Sequence, residues 1–340
     1  MTWYMDRGPD SDVILSSRVR LARNLVGHPF PNRLEKEQAA AVSNMVSSSF
    51  FGDTRDRRAE YLDVDLGCLP DEDRMALVEK RLISEDLARF AECRRAIISR
   101  DESVSVMVNE EDHIRIQAMS SGFDLNAAYC KAEAVALLLE SRLPIAYSGK
   151  YGFLTACPTN VGTGMRASVM AHLPGLAMAG LLRGAVESLG KMGFAVRGNY
   201  GEHSQAAGHL FQISNQITLG LGEDELIADL VRVAGQLVAQ ERKARKAVYD
   251  ADPVGLEDRA GRALALLRSA RRMSSAEAMA LISDVRLGLS LRLVEGVTEE
   301  SLNRAIISIG PASIQKNAGH PMNEAERDVE RAKALHAILI

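Results

Sequence analysis

Three acidic residues stand side by side in the segment NEEDHIRIQ, residues 109–117: Glu110, Glu111 and Asp112, with Arg115 three positions further on. Adjacent carboxylates repel one another, so their crowding indicates a nearby cation or a use for the charge. A further acid, Glu202, lies in the polar loop NYGEHSQAAG. Because a guanidinium needs acceptors on two sides to fix its plane, Glu111 and Glu202 can together hold one. The alternative for each acid is an exposed loop carboxylate.

Arginine, which grips phosphate oxygens through two hydrogen bonds at once, recurs in the strand and turn segments. We expect Arg166 to lie at the start of a helix that follows the turn Gly162-Thr163-Gly164, where free N–H groups favour an anion. The alternative is a set of solvated arginines and an ordinary turn. The arginines in question are Arg18, Arg20, Arg23, Arg115, Arg166 and Arg197.

Two weaker patterns lie close to that turn. Cys157 precedes Pro158 at the end of a short predicted strand, YGFLTACPTN. It is interpreted as a small buried thiol, with a thiolate as the alternative if the helix start and the arginines face it. GTGMRA also fits the dinucleotide pattern GxGxxA, but the surrounding hairpins argue against βαβ units. A phosphate-binding GxxxxGK[ST] loop is absent from the sequence, and so are the HRD and DFG motifs.

The elements that would position these residues follow from periodicity. VILSSRVRLARN alternates as a half-buried strand with a basic outer face, and SVSVMV and HIRIQA alternate on either side of NEED. This predicts a β-hairpin with the acids near its tip. A helix capped by Asp124 is predicted over 124–142, and FAVRG and HLFQISNQITLG are predicted strands.

From Glu223 onwards the pattern is helical. Residues 223–249 are predicted to form one long helix, and residues 254–340 show helical periodicity alone, interrupted near Pro253, Gly296 and Pro311. The fold class is therefore α+β to about residue 245, followed by an all-helical domain.

Composition limits the classes of partner and compartment. The 340 residues carry a net charge of −4, which gives no field for nucleic acid or anionic lipid, and their number suggests two domains. The N-terminus lacks a signal-peptide core, and no apolar run reaches the roughly 18 residues of a membrane span. The four cysteines form no CxxC pair. We expect a cytoplasmic protein that binds neither nucleic acid nor membranes.

Five segments occur together in the order and wording of the phosphagen (guanidino) kinases, and the chain resembles the bacterial protein-arginine kinases among them. The resemblance implies a catalytic domain over residues 11–245, with a twisted antiparallel sheet flanked by helices in a glutamine-synthetase-like arrangement. It also implies an all-α C-terminal domain over 250–340, for dimerisation and phosphoarginine binding. The segments are SSRVRLARN, NEEDHIRIQ, CPTNVGTGMRASV, RGNYGEHS and ISNQITLG.

The resemblance also implies roles for individual residues. Glu111 matches the catalytic carboxylate, Glu202 the second acid that holds the guanidinium, and Cys157 the active-site cysteine. Arg81 stands where relatives usually have a nucleotide-binding histidine. ATP and Mg²⁺ are the implied cofactors, and no metal ligand is assigned among the protein's own residues. The implied nucleotide contacts are Ser16, Ser17, Arg18, Val19, Arg20, Arg81, Arg115, Arg166, Ala167, Ser168, Val169, Met170, Arg197, Gly198, Asn199, Tyr200, Gly201 and Glu202.

The implied activity is transfer of the ATP γ-phosphoryl group to arginine side chains of proteins, which marks proteins for degradation in stress and quality control. Kinases of free guanidino compounds resemble one another in a helical domain ahead of the first motif, for which this chain has no room, whereas the C-terminal extension matches the protein-arginine kinases. The alternatives are a free-arginine kinase and a non-catalytic phosphoarginine-binding adaptor. Expected partners are proteins with exposed arginines, an activator protein, the degradation machinery and a second copy of the chain.

A final motif lies in the last predicted helix, RDVERA, residues 327–332. Arg327 and Arg331 are four apart and share a face, which by spacing alone indicates a solvated charged helix. The motif also matches the RDxxRA pattern with which protein-arginine kinases bind phosphoarginine as an allosteric effector. The resemblance implies such a site, formed by Arg327, Asp328, Val329, Glu330, Arg331 and Ala332.

Overall fold

The structure, a computed structural model, describes residues 2–52, 55–198 and 207–340. Within them, eight strands form one antiparallel sheet in the order β2-β3-β4-β5-β1-β8-β10-β9, and β6 pairs with β7 separately. The strands are β1 (Ile14–Arg23), β2 (Tyr61–Asp65), β3 (Arg95–Ser99), β4 (Val104–Val108), β5 (Ile114–Ser121), β6 (Tyr147–Ser148), β7 (Gly152–Phe153), β8 (Met165–His172), β9 (Phe194–Gly198) and β10 (Leu210–Asn215).

After β10 the chain is entirely helical in its regular elements, as the change in periodicity predicted. The last five helices follow one another with short connections and fill residues 253–339. The α-helices are α1 (Lys36–Phe51), α2 (Arg55–Glu60), α3 (Asp71–Glu79), α4 (Glu85–Arg89), α5 (Leu125–Glu140), α6 (Pro174–Met178), α7 (Leu182–Lys191), α8 (Glu223–Ala251), α9 (Pro253–Ser269), α10 (Ser275–Ser290), α11 (Glu299–Ser308), α12 (Pro311–Ala318) and α13 (Glu324–Leu339). The predicted α+β class with a helical C-terminal region is confirmed.

The two faces of the sheet have different functions. One face packs on α1, α5 and α8 in the main hydrophobic core, where Val19, Ile116, Val169 and Ile213 contact apolar residues of those helices. Because side chains alternate along a strand, the residues between them point to the opposite face. That second face carries the arginines of β1, β5 and β8, and it is covered in part by the C-terminal helices.

Several predicted elements are confirmed. SVSVMV and IRIQA form the antiparallel pair β4–β5, with Val108 opposite Ile114, and the three acids lie in the connecting loop. The helix α5 begins after Asp124, whose side chain accepts a hydrogen bond of 2.9 Å from the Ala127 N–H, as an N-cap should. The long helix α8 begins at Glu223, where periodicity placed it.

The predicted helix after the turn Gly162-Thr163-Gly164 is wrong, because residues Met165–His172 form the strand β8. This strand lies between β1 and β10, and both of its faces are covered, since Val169 lies in the main core and Met170 packs against the C-terminal helices. Almost all its side chains are therefore buried, and its composition resembles a buried helix. Arg166 therefore lies on a strand, the expected helix-terminus anion site does not form there, and the GxGxxA match has no strand–turn–helix context. Helix begins only at Pro174, in α6.

The turn before β8 needs its glycine for a steric reason. Gly162 has φ +112°, and a Cβ there would lie 2.2 Å from the Thr218 carbonyl oxygen. Any other residue would therefore push apart the entry to β8 and the segment after β10.

A buried polar network joins the sheet to the helices behind it. Glu241 of α8 accepts hydrogen bonds from the N–H groups of Gly175 (2.8 Å) and Leu176 (2.9 Å), and pairs with Arg245 at 2.7 Å. Arg245 donates to the carbonyl of His172, and His172 Nε2 lies 2.8 Å from Ser283 Oγ of α10. Strand β8, α8 and α10 are thus connected through one group of fully satisfied buried side chains.

None of the helices in the described part of the chain is long and apolar enough to cross a membrane.

Candidate active site

The antiparallel registers bring five of the six predicted arginines onto one face of the sheet. The prediction is wrong for Arg23, which is buried on the opposite side and pairs with Glu140 of α5 at 2.7 Å. Arg20 of β1 lies directly opposite Arg166 of β8, and Ala22 lies opposite Arg115 of β5. Arg197 of β9 faces Gln212 of β10, which in turn accepts a hydrogen bond of 2.8 Å from Arg18. Like charges directly opposite each other destabilise a sheet, so this arrangement indicates a site built for anions.

The proximity of the guanidinium groups, together with burial, lowers the pKa values of several arginines in the cluster. Burial, followed by repulsion from Arg115 and Arg166, lowers the pKa of Arg20 to about 9. Burial and the neighbouring guanidinium groups also lower the pKa values of Arg18 and Arg166. Among the described residues, Arg20 Nε is buried and has no hydrogen-bond partner. A bound polyanion would relieve the repulsion and accept the unused donors.

Of the acids at the hairpin tip, Glu110 supports Arg115, whereas Glu111 lines the cavity. Glu110 is buried, accepts a hydrogen bond of 2.7 Å from Ser84 Oγ and pairs with Arg115 Nη1 at 2.6 Å. Arg115 Nη2 contacts Glu111 Oε2, also at 2.6 Å, and the Glu111 side chain remains 43% exposed. Glu110 therefore holds Arg115 in place, while Glu111 faces the cleft.

The third acid anchors the loop that carries Cys157. Asp112 is fully buried, and its Oδ1 accepts hydrogen bonds from Asn24 Nδ2 (2.6 Å) and the Ala156 N–H (2.7 Å). Burial raises the pKa of Asp112, so its ionised form depends on these donors. The cation anticipated from the sequence is Arg115 for the first two acids, whereas Asp112 bonds to uncharged groups.

A cavity of about 330 Å³ lies where these elements meet. Cys157 lies in its lining, just before the 3₁₀ turn Pro158–Asn160, and its Sγ is 3.0 Å from Thr159 Oγ1. The thiol is half-buried and not at the end of a strand, unlike its predicted position. The cavity is lined by Arg20, Ala22, Glu111, Arg115, Cys157, Thr159, Asn160, Gly164, Arg166 and Arg197.

Not every residue of the implied nucleotide segments points to this face. Ser17 donates to the Gly122 carbonyl (2.9 Å), and Val19, Ala167 and Val169 are buried in the core behind the sheet. Their side chains position the strands, and only their backbone is near the cleft face. Ser16, Arg18, Ser168, Met170 and Gly198 lie in the strands of the site, while Asn199, Tyr200, Gly201 and Glu202 are outside the described residues.

Arg81 lies in the turn after α3, with φ +62°. Its carbonyl accepts a hydrogen bond of 2.6 Å from Gln117 Nε2 of β5, which fixes the turn beside the sheet. The side chain lines a second, larger compartment of the cleft together with Arg18, Arg20 and Arg115. Arg81 therefore lies in the same cleft as three arginines of the sheet, and its contact with a nucleotide stays a prediction.

The RDVERA motif lies in α13, away from this cleft. Arg331 is only 2% exposed and donates to the carbonyls of Ile309 (2.8 Å) and Met273 (2.9 Å), besides pairing with Asp328 at 2.6 Å. Arg272 approaches the other oxygen of Asp328 at 3.7 Å. Arg327 is half-buried and donates to the Met322 carbonyl. The motif therefore does not form the fully solvated face that spacing alone suggested.

The sequence did not assign the roles of three residues of the site. Glu110 was grouped with its neighbours, although its role is to hold Arg115. Gln117 alternates in step with Arg115, so periodicity contained a signal for it. Gln212 becomes a partner of Arg18 only through the long-range pairing of β8 with β10 and β1, which no local pattern contains.

Within the described residues no group of three or more His, Cys, Asp or Glu side chains could hold a metal ion by itself.

Comparisons with known proteins agree with this geometry. Residues 41–244 match the family model described as ATP:guanido phosphotransferase, C-terminal catalytic domain, and residues 253–340 match the protein-arginine kinase McsB C-terminal domain. The chain is 46% identical over 331 residues to the protein-arginine kinase of Pelotomaculum thermopropionicum, covering 97% of this chain and 93% of that protein. It is 44% identical over 338 residues to that of Moorella thermoacetica, covering 99% and 97%.

Solved structures share the catalytic part of the fold. The duplicated taurocyamine kinase from Schistosoma mansoni with bound transition-state-analogue components is similar with a TM-score of 0.58 and 31% identity. That match covers 67% of this chain and 33% of the duplicated kinase. Lombricine kinase is similar in fold with a TM-score of 0.59, over 71% of each chain, at 22% identity.

Proposed function

The chain belongs to the protein-arginine kinases of the ATP:guanido phosphotransferase family, and we propose that it phosphorylates arginine side chains of proteins at the cavity between Glu111 and the arginine cluster. The observation that carries the proposal is the adjacency of one exposed carboxylate and at least three arginines in a single cavity. A phosphoryl donor needs the cations, and a guanidinium acceptor needs the carboxylate. The products are ADP and a protein carrying N(ω)-phosphoarginine.

The cationic face fits the triphosphate of ATP. Arg20, Arg166 and Arg197 line the cavity and present guanidinium groups that suit phosphate oxygens. They neutralise the charge of the transferring group and hold it in line with the acceptor, which is how phosphoryl transfer is mainly catalysed. Mg²⁺ is proposed to enter with the nucleotide and to neutralise further phosphate charge, with the phosphates as its principal ligands.

Glu111 is proposed to bind the acceptor arginine. A guanidinium remains protonated at neutral pH and is no nucleophile in that form, so Glu111 orients it and accepts a proton as the new P–N bond forms. Glu202 is proposed to hold the opposite side of the guanidinium, and its position lies outside the described residues. Cys157 lines the same cavity and is proposed to contact the acceptor.

The division into a catalytic domain over 11–245 and a helical domain over 250–340 is proposed on two grounds. The two family models meet between residues 244 and 253, and the chain turns there from α8 into α9 at Asp252–Pro253. Homodimerisation through the helical domain, an activator protein, coupling to the degradation machinery in stress and a cytoplasmic location are proposed from family membership.

The direct test is incubation with ATP and Mg²⁺ plus either casein or free arginine, followed by detection of acid-labile phosphate. We expect phosphate on casein. Phosphate on free arginine alone would indicate a phosphagen kinase, and none on either would indicate a non-catalytic adaptor. Glu111→Gln should lower the rate about 10²- to 10⁴-fold with ATP affinity nearly unchanged, because the amide loses the basicity that the guanidinium requires.

The matched control is Glu37→Gln, which changes an exposed acid in the first turn of α1 and should leave the rate unchanged. A Glu111→Gln protein that kept more than half of the wild-type rate would contradict the assignment.

A phosphoarginine-binding site is proposed at the RDVERA motif. Asp328 lies between Arg331 and Arg272, so a carboxylate for a guanidinium is present beside cations for a phosphate. Since Arg331 is engaged by internal carbonyls, the cations proposed to reach the phosphate are Arg327 and Arg272. Binding there would change the activity only if the two states of the enzyme differ in affinity for the effector.

We expect free phosphoarginine to bind the protein and to change its rate. Arg327→Ala and Asp328→Ala should remove the response and leave ATP binding intact, while Lys333→Ala, an exposed change in the same helix, should have no effect. A full response in the Arg327→Ala protein would show that the motif serves only to pack α13.

A further inference from the structure

A separate cavity of about 720 Å³ lies between the start of α1, residues 89–94 and the base of the turn that joins β4 to β5. Asn109, the first residue of that turn, lines this cavity, whereas Glu111, two positions later, lines the catalytic cavity. The turn that carries the acids thus contributes to both spaces. We call the space formed by α1, residues 89–94 and Asn109 the flanking cavity.

The flanking cavity and the catalytic cavity lie at the same edge of the sheet. Arg95 at the start of β3 is opposite Val108 at the end of β4, and Val108 is opposite Ile114 at the start of β5. Strand β1 ends beside Ile114, and β8 begins beside β1. The segment before β3 lines the flanking cavity, and the segment before β8 lines the catalytic cavity. Because neighbouring strands are about 4.8 Å apart and β3 is four steps from β8, these segments are separated by roughly 19 Å.

The flanking cavity carries cations that the fold does not pair with acids. Arg89, at the end of α4, is exposed and makes no hydrogen bond or ion pair with any described residue. Arg94 donates a hydrogen bond of 2.6 Å to the Asp86 carbonyl, and no carboxylate of the described residues is within ion-pair distance of it. Two guanidinium groups in one concave space are therefore available to an anion.

The rest of the lining adds positive charge and an apolar surface. Lys36 and Arg74 also line the cavity, and the one acid among its described lining residues, Glu92, pairs with Lys36. Phe90 is 59% exposed, and the guanidinium carbon of Arg94 lies 5.6 Å from its ring centre. An exposed aromatic ring beside unpaired arginines is typical of surfaces that bind peptides.

We propose that the flanking cavity binds an acidic segment of the acceptor protein, with aspartate or glutamate side chains at Arg89 and Arg94 and an apolar side chain against Phe90. The inference rests on the function proposed above and names a class of substrate for it. An extended chain advances about 3.3–3.6 Å per residue, so a carboxylate about six positions from the target arginine spans the roughly 19 Å between the segments.

Charge explains why such a local site is needed. The chain has a net charge of −4, so its overall field does not attract acidic segments. The guanidinium of the target arginine is drawn to Glu111, whereas acidic neighbours of that arginine are not. Cations in the flanking cavity supply the complementary charge at the distance where those neighbours lie.

The test compares two peptides that each contain one arginine, on the full-length chain at about 0.15 M salt, where long-range effects of charge are screened. One peptide has glutamates about five to seven positions from the arginine on both sides, and the other has glutamines there. The wild-type KM should be about 3- to 10-fold lower for the glutamate peptide, with kcat changed less than about 2-fold, because the added ion pairs are remote from the reacting atoms.

Charge exchange at Arg89 makes the test specific. Arg89→Glu should abolish the preference for the glutamate peptide, and a third peptide with lysines at the same positions should then have the lowest KM of the three. A general loss of structure would not produce such an exchange of preference. The matched control is Arg262→Glu, the same change of charge at a 76% exposed side chain of α9, which should keep the wild-type preference.

Equal KM values for the glutamate and glutamine peptides in the wild type, or a preference that persists in Arg89→Glu, would overturn the proposal. An acidic peptide without arginine that changed kcat for both acceptor peptides would assign the cavity to a separate acidic partner and would overturn it as well. If the wild-type chain phosphorylated neither the peptides nor casein, the proposed function itself would fail. That outcome is distinct from an active wild type without a preference for acidic neighbours.

Discussion

Replacing Arg166 with glutamine should stabilise the nucleotide-free protein and weaken the enzyme. Arg166 lies directly opposite Arg20 across two central strands, and burial and repulsion from Arg197 and Arg115 lower its pKa. A like-charge pair opposite each other in a sheet costs about 0.2–1 kcal/mol. Removing one member of this cluster should therefore raise the unfolding free energy by on the order of 1 kcal/mol.

The same change removes a cation from the phosphates. A hydrogen bond to a charged group contributes about 1.5–3 kcal/mol, which corresponds to a loss of roughly 10- to 150-fold in ATP affinity or in kcat/KM. Stability is measured by denaturant unfolding without nucleotide, and affinity by calorimetry with ATP. If Arg166 served only the fold, its replacement would lower the free energy of unfolding and would leave the affinity for ATP unchanged.

Arg95 provides the matched control on the same sheet. It pairs with Asp63 at 2.8 Å on strands β3 and β2, away from the cleft. Arg95→Gln should lower the unfolding free energy slightly and leave ATP affinity unchanged. If Arg166→Gln lowered stability as Arg95→Gln does and ATP bound equally well, the anion-site reasoning would be refuted.

Two further predictions concern the buried network behind the site. Glu241→Ala should lower the unfolding free energy by about 3–5 kcal/mol, because it leaves Arg245 buried without its partner, whereas Asp250→Ala, at an exposed ion pair of the same helix, should change it by less than about 0.5 kcal/mol. A small effect at Glu241 would show that water replaces the carboxylate. Burial lowers the pKa of His172 well below its ordinary value, so folding favours the neutral ring and stability falls as pH drops below about 6.5. His172 should account for about 1.4 kcal/mol of the loss between pH 7.5 and 5.5; His172→Gln should reduce the dependence by that amount, and an unchanged dependence would assign the effect to other groups.

The parts of the fold that sequence predicts are those whose patterns are local. In the β4–β5 hairpin, apolar and polar residues alternate clearly along the sequence, because one face of the hairpin is apolar and the other partly polar. The start of α5 is predicted by its N-cap residue, Asp124. Strand β8 was mistaken for a helix because both of its faces are covered, one by the main core and the other by the C-terminal helices, which removes the alternation. The sequence contains no sign of that burial until the partner strands are known.

In the candidate site, too, local sequence indicates some features, whereas others depend on contacts between residues far apart in the chain. Residue type alone drew attention to the acids and the arginines, and the strand registers place most of the arginines on one face, but the individual tasks of these residues were not predictable. Which of three consecutive carboxylates faces the cleft depends on Ser84, Asn24 and Ala156, which are far away in the chain.

The order of strands in the sheet has a consequence for synthesis of the chain on the ribosome. The face of the site is formed by β5, β1, β8, β10 and β9. The residue opposite Arg20 of β1 is Arg166 of β8, which is translated about 150 residues later. A nascent or prematurely terminated chain therefore carries the individual charged residues without the arrangement that phosphoryl transfer requires. A fragment that ends before β8 should be unable to modify neighbouring proteins, because its cleft lacks Arg166 and Arg197.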